Sequence, residues 1–138
     1  MDSTAGPGGP GLDQSDSPNL RVVMSAYEIL GEDGLEASLE HLLSHAHEDF
    51  EFAPYVGAGR VLRGPDEVRA FFRGQLEGGT ALAARATSFE ERGDDVVVNG
   101  SLRVVRSSGG FAESQISWTY RFREGRLLEA RGGPRRAA

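Results

Sequence analysis

The sequence predicts an α+β domain, three helices followed by a long antiparallel sheet, on three observations. Apolar residues recur at helical spacing in three segments before residue 80, and from there on the period drops to two. Four period-two runs, "ALAARATSFEE", "DVVVNGSLRVVR", "FAESQISWTYRFR" and "RLLEAR", are separated only by the turn-like "RGD", "SSGG" and "EG", so hairpins join them in succession. Finally, 138 residues make one domain's worth of chain, enough for a single core without staples.

Residues 1–17, rich in Gly, Pro, Ser and Asp, carry too little apolar surface to offset the entropy of ordering and read as a disordered tail. The first helix should start with Ser17 as N-cap and Pro18 at its first position, bury Leu20, Val23, Tyr27 and Leu30, and end at Gly31. Asp33 with Glu36 can cap a second helix, running to about His45, whose stripe is Leu35, Leu39, Leu42, Leu43 and Ala46. A short strand, "DFEFAP", follows with Phe50 and Phe52 alternating against Glu51 and Ala53. Gly64 as cap, Pro65, Asp66 and Glu67 open a third helix with Val68, Phe71, Phe72 and Leu76 inward, and Gly78 and Gly79 close it. In the late strands the even positions form the apolar face: Val96, Val98, Gly100, Leu102 and Val104, then Ser114, Ile116, Trp118, Tyr120 and Phe122, then Leu128 and Ala130. The domain is thus expected over residues 18–131, with 132–138 a flexible tail.

Composition removes several chemistries. A formal charge of −6 without a basic stripe argues against a nucleic-acid partner. All fifteen basic residues are arginine, which excludes a Schiff-base or phosphate-loop lysine, and the absence of cysteine excludes a thiolate nucleophile and a cysteine-rich zinc site. No apolar run approaches the roughly 20 residues of a membrane helix, and the N-terminus lacks the features of a signal peptide, so no membrane partner and a cytoplasmic location are expected. His41 and His45 share a helix face, but that face points away from the leucine stripe and offers no third ligand, so no metal is expected. Gly57, Gly59 and Gly64 have the wrong spacing for a dinucleotide fingerprint, and no cofactor is expected.

Four phrases in order, "AYEILGEDGLEASLEHLLSHAHEDFEF", "LRGPDEVRAFF", "GDDVVVNGSLRV" and "SWTYRFREGRLLEAR", resemble the SnoaL-like, polyketide cyclase-type branch of the nuclear transport factor 2-like superfamily. The resemblance implies a curved sheet wrapped around three helices, a cone with an internal pocket, and a homodimer through the sheet. It also implies pocket positions: Tyr27, Phe52, Tyr55, Phe72, Val98, Ser114, Trp118 and Tyr120 as the ligand-binding wall. The isomerase relatives use a Tyr on the first helix and two acids. Carried over, the Tyr falls on Tyr27, but the acid positions fall on Ala53 or Pro54 and near Trp118, where this chain has none.

Three functions remain open from sequence. The first is a binding protein that encloses a small hydrophobic molecule in an apolar pocket. The second is an acid/base enzyme of the cyclase or isomerase type, or a hydrolase without metal, with Tyr27, Glu51 and Glu129 as candidate catalytic groups; it requires a carboxylate inside the cone. The third is a dimerisation scaffold, which requires a cone filled by its own side chains. Arg60 and Arg63 flank the loop expected over the pocket mouth, where a carboxylate-bearing ligand could be clamped.

Overall fold

A computed structural model describes residues 17–54 and 60–134. In chain order it contains α1 (Pro18–Asp33), α2 (Leu35–Leu43), β1 (Ala46–Ala53), β2 (Leu62–Arg63), α3 (Gly64–Glu77), β3 (Ala81–Arg92), β4 (Asp95–Val105), β5 (Phe111–Arg123) and β6 (Arg126–Pro134). The strands form one six-stranded sheet in the order β2-β1-β6-β5-β4-β3. The expected α+β architecture is therefore present. The three late hairpins are antiparallel, β2 runs antiparallel to β1, and β1 lies parallel to β6.

Ser17 caps α1 as its sequence position suggests, its hydroxyl accepting from the Leu20 N–H at 3.1 Å. The helix does not stop at Gly31 but runs to Asp33, and Gly34, at φ +99°, makes the break. Only glycine adopts that angle without strain, whereas Gly31 sits in the helix without needing it. Asp33 therefore closes α1 and does not cap α2. At α3 the helix begins at Gly64 itself, with Arg63 as N-cap, and the Glu67 carboxylate accepts from the Arg63 backbone N–H at 2.8 Å. That contact meets one of the donors a helix start leaves unpaired.

The three helices pack on one face of the sheet. Val23 of α1, Phe50 of β1, Leu62 of β2, Val68 of α3, Val96 and Val98 of β4 and Leu127 of β6 are at most 2% exposed, so every layer contributes to one core. Among the described residues Ser38 is the buried polar exception, and its hydroxyl donates to the Ala26 carbonyl at 2.6 Å, locking α2 to α1.

Two bulges correct the strand reading. Arg121 pairs with Glu129 while Phe122 pairs with Leu127, so Leu128 is an extra residue and Leu127, not Leu128, faces inward. A one-residue insertion reverses the side-chain parity beyond it, and alternation alone does not reveal it. On β3 the pairing skips Thr87, whose hydroxyl donates to the Asn99 carbonyl at 2.9 Å and so satisfies an acceptor near the break. Opposite that bend the backbones approach closely: a Cβ on Gly100 would stand 1.9 Å from the Arg85 carbonyl oxygen. β1 starts at Ala46, three residues before the expected "DFEFAP", and β6 continues past residue 131 to Pro134. Residues 1–16 and 135–138, most of the two expected tails, lie outside the described residues.

Candidate functional site

Between the helices and the sheet lies a cavity of about 100 Å³. Helix α1 contributes Ala26, Tyr27 and Leu30 to it, α2 contributes Leu35, Ser38, Leu39 and Leu42, and α3 contributes Phe72. Phe52 and Pro54 close one side, and Leu82, Ala84, Leu102, Trp118 and Tyr120 form the sheet wall. The helical stripes and the inward parity of the strands account for this wall: residues spaced three or four apart on a helix, or two apart on a strand, share a face.

Five of the eight expected wall residues, Tyr27, Phe52, Phe72, Trp118 and Tyr120, meet here. Val98 does not line the space; it is fully covered in the core beneath. Ser114 faces a separate hollow farther out on the sheet, two strand positions before Ile116. Tyr55 lies outside the described residues. Sequence reasoning did not place Ser38, Leu39 and Leu42 in the wall. Their apolar stripe was visible, but which part of it stays uncovered depends on where α1 crosses.

The polar chemistry of the cavity is concentrated in two tyrosines, one from α1 and one from β5. Their hydroxyl oxygens are 2.8 Å apart. Burial, followed by the proximity of Tyr120 and the hydrogen bond to it, raises the Tyr27 phenol well above its ordinary value, and burial pushes Tyr120 up to about 12. Both are therefore neutral at any ordinary pH. A pair of neutral hydroxyls places one proton between the two oxygens and leaves the other proton to find a second acceptor. The Tyr27 ring is packed by Phe89, Trp118 and Tyr120, with centroids 5.7, 5.8 and 6.3 Å away; it meets Phe89 and Tyr120 edge to face and Trp118 at a tilt of 56°. The Trp118 indole N–H has no acceptor among the described residues. The cavity thus offers hydrogen-bond donors on an apolar wall.

None of the described lining residues is Asp, Glu or His, and residues 55–59, "YVGAG", contain no acid. The two candidate carboxylates are on the outer face. Glu51 Oε2 lies 3.4 Å from Arg63 Nε, and Glu129 Oε2 lies 2.9 Å from Arg131 Nη2. They are directly opposite each other in register, inside a cross-strand row that runs Arg63, Glu51, Glu129, Arg121, Asp95, Arg92 over all six strands. The bulge at Leu128 keeps Glu129 outward while Leu127 and Ala130 face the core. Arg63 is thereby committed to the outer face, and the Arg60 guanidinium sits 5.6 Å from the centroid of the Phe71 ring.

His41 and His45 are partly covered rather than exposed. Their ring centroids are 5.1 Å apart, and His41 Nε2 is 3.1 Å from the Val22 carbonyl, so His41 faces α1. Burial and then the neighbouring His41 hold the His45 imidazole below its usual range. Among the described residues no group of three His, Cys, Asp or Glu side chains is placed to hold a metal ion. No helix among them is long and apolar enough to cross a membrane.

A family model for the SnoaL-like domain matches residues 26–130. No curated protein matches the chain. Among solved structures, an NTF2-like protein of unknown function from Burkholderia pseudomallei K96243 is similar at 26% identity and a TM-score of 0.71, over 87% of this chain and 92% of its own. TerC, co-crystallised with polyporic acid, is similar at 22% identity and a TM-score of 0.69, over 86% of this chain and 92% of its own. A Mycobacterium tuberculosis protein in complex with estradiol-17β-hemisuccinate is similar at 20% identity and a TM-score of 0.65, over 85% of this chain and 93% of its own.

Proposed function

The chain belongs to the SnoaL-like domain family, and from that premise we propose that it is a small-molecule-binding protein, enclosing a hydrophobic ligand that carries a carbonyl-type acceptor. The observation that supports this reading is the composition of the cavity. Its wall is apolar, its one linked polar pair is Tyr27 with Tyr120, and the described lining holds no carboxylate or imidazole. A ligand entering there leaves water for aliphatic and aromatic surface and directs an oxygen at the spare phenol proton or the Trp118 N–H.

Size narrows the ligand. A dry cavity of about 150 Å³ accepts benzene, so the smaller space of about 100 Å³ accommodates part of a ring or a short alkyl segment, with the remainder of the molecule outside. Two structural neighbours have been seen with small organic molecules, which agrees with a ligand-enclosing role for the fold without specifying this chain's ligand. The acid/base alternative lacks its carboxylate. The scaffold alternative expects a filled cone, and the cavity weighs against it.

Trp118 is the only tryptophan in the chain and stands in the cavity wall, so its emission reports occupancy directly. Titration with one-ring aryl ketones such as acetophenone and 1-indanone should shift that emission saturably. A ligand present at a hundredfold excess over its dissociation constant should stabilise the fold by about 2.7 kcal/mol. Unchanged emission and melting across neutral ketones, esters and amides would remove the proposal.

A further inference from the structure

A second hollow, of about 250 Å³, opens on the same inward face, between the C-terminal end of α3 and the β4–β5 hairpin. Leu102 and Val104 form its floor, and Gln75, Thr80, Arg106 and Ser114 supply polar groups around it. None of these four side chains has a hydrogen-bonding or ionic partner among the described residues. Six other arginines, Arg63, Arg69, Arg92, Arg103, Arg121 and Arg131, pair with carboxylates, whereas Arg106 lines this hollow without one. Arg103, on the opposite face, holds Glu113, the acid directly across from it on β5. Arg106, one residue beyond β4, continues the even-numbered inward row and is left as an uncompensated cation beside two hydroxyls and an amide. A guanidinium flanked by neutral donors is the set of groups that receives a carboxylate.

Leu102 lines both hollows, so the apolar cavity and the cationic one meet at a single side chain. We propose that the ligand is an amphipathic carboxylic acid whose apolar body enters the inner cavity and whose carboxylate is seated by Arg106, with Ser114, Thr80 and Gln75 completing its hydrogen bonds. The proposal rests on the hydrophobic-ligand reading above and specifies its chemical class. Leu102 and Arg106 are four residues apart, roughly 13 Å of strand, and the arginine side chain shortens the span the ligand must cover. A medium-length alkyl or arylalkyl acid fits that distance.

The test uses the full chain, Trp118 emission, and two probes that differ only in charge, decanoate and decanamide. Wild type should bind decanoate about tenfold more tightly than the amide, the scale of one charge-assisted contact at a partly solvated site. In R106Q that preference should vanish while decanamide still binds, which also shows that the cavity is intact. Equal wild-type affinity for the two probes, or a decanoate preference that survives in R106Q, would overturn the carboxylate seat and leave the hydrophobic-ligand reading standing. No response to either probe would overturn the amphipathic-acid class, while the hydrophobic-ligand reading is decided separately by the aryl-ketone titrations.

Discussion

The two tyrosine hydroxyls offer the sharpest test of the site's architecture, because they can be removed singly and together with little change of shape. Tyr120 is 6% exposed and its oxygen lies 2.8 Å from that of Tyr27. In Y27F the Tyr120 hydroxyl is left buried without its partner, a defect worth about 1–3 kcal/mol. In Y120F the Tyr27 hydroxyl borders the cavity and can be reached by solvent or ligand, so the loss should be smaller, about 1 kcal/mol. Removing both leaves two apolar rings in nearly unchanged volume, and the double variant should be no less stable than Y27F. The coupling energy between the sites is then about 1–2 kcal/mol. Urea denaturation of the four proteins measures it, with a melting-point difference of roughly 4 °C per kcal/mol for a domain of this size as a second readout. If the two single losses simply add to within about 0.5 kcal/mol, the hydroxyls do not act as a pair and the donor argument fails.

Alkaline stability follows from the same pair. Both phenols titrate above their unfolded value, Tyr120 at about 12, so the unfolded chain gives up these protons first. Stability should be level below pH 10 and fall as pH rises from 10 toward 12, by up to about 1.4 kcal/mol per pH unit for each tyrosine, and the double phenylalanine variant should lose this slope in pH-dependent urea melts. G100A should destabilise by roughly 2–4 kcal/mol, because its methyl would meet the backbone carbonyl of Arg85 and not a movable side chain; a melt within 2 °C of wild type would show that the strands separate there cheaply. E51Q and E129Q should leave ligand affinity unchanged in Trp118 titrations, since both carboxylates lie on the outer face. A tenfold change in either variant would place an acid at the site after all.

What the sequence revealed and what it concealed divide along physical lines. Helix existence, the order of elements and the inward parity of β4 and β5 are local properties, written in the spacing of Val23 and Tyr27 or of Val96 and Val98. The meeting of Phe52, Phe72 and Trp118 came from a resemblance that covers most of the chain. Hidden were features that depend on partners distant in sequence. The bulge that substitutes Leu127 for Leu128 is set by register against β5. The Tyr27–Tyr120 bond spans 93 positions. The free state of Arg106 is legible only once Glu113 is seen to be taken by Arg103. The histidines illustrate a mixed case: spacing anticipated two neighbouring rings, but His45 lies beyond the end of α2 at Leu43, and nothing local could show that His41 would face α1.

The unpaired residue Thr87 has a consequence for how copies of this chain meet one another. β3 is an outer edge of the sheet, twelve residues long, and a straight edge of that length is a template on which a neighbouring chain can add a strand. The break at Thr87 divides it into a run of six residues and a run of five. Arg85 interrupts the first, and Glu90, Glu91 and Arg92 end the second. A foreign strand laid along this border meets a kink at its middle and charge on either side, so the residue that bends the sheet also discourages its extension into a fibre.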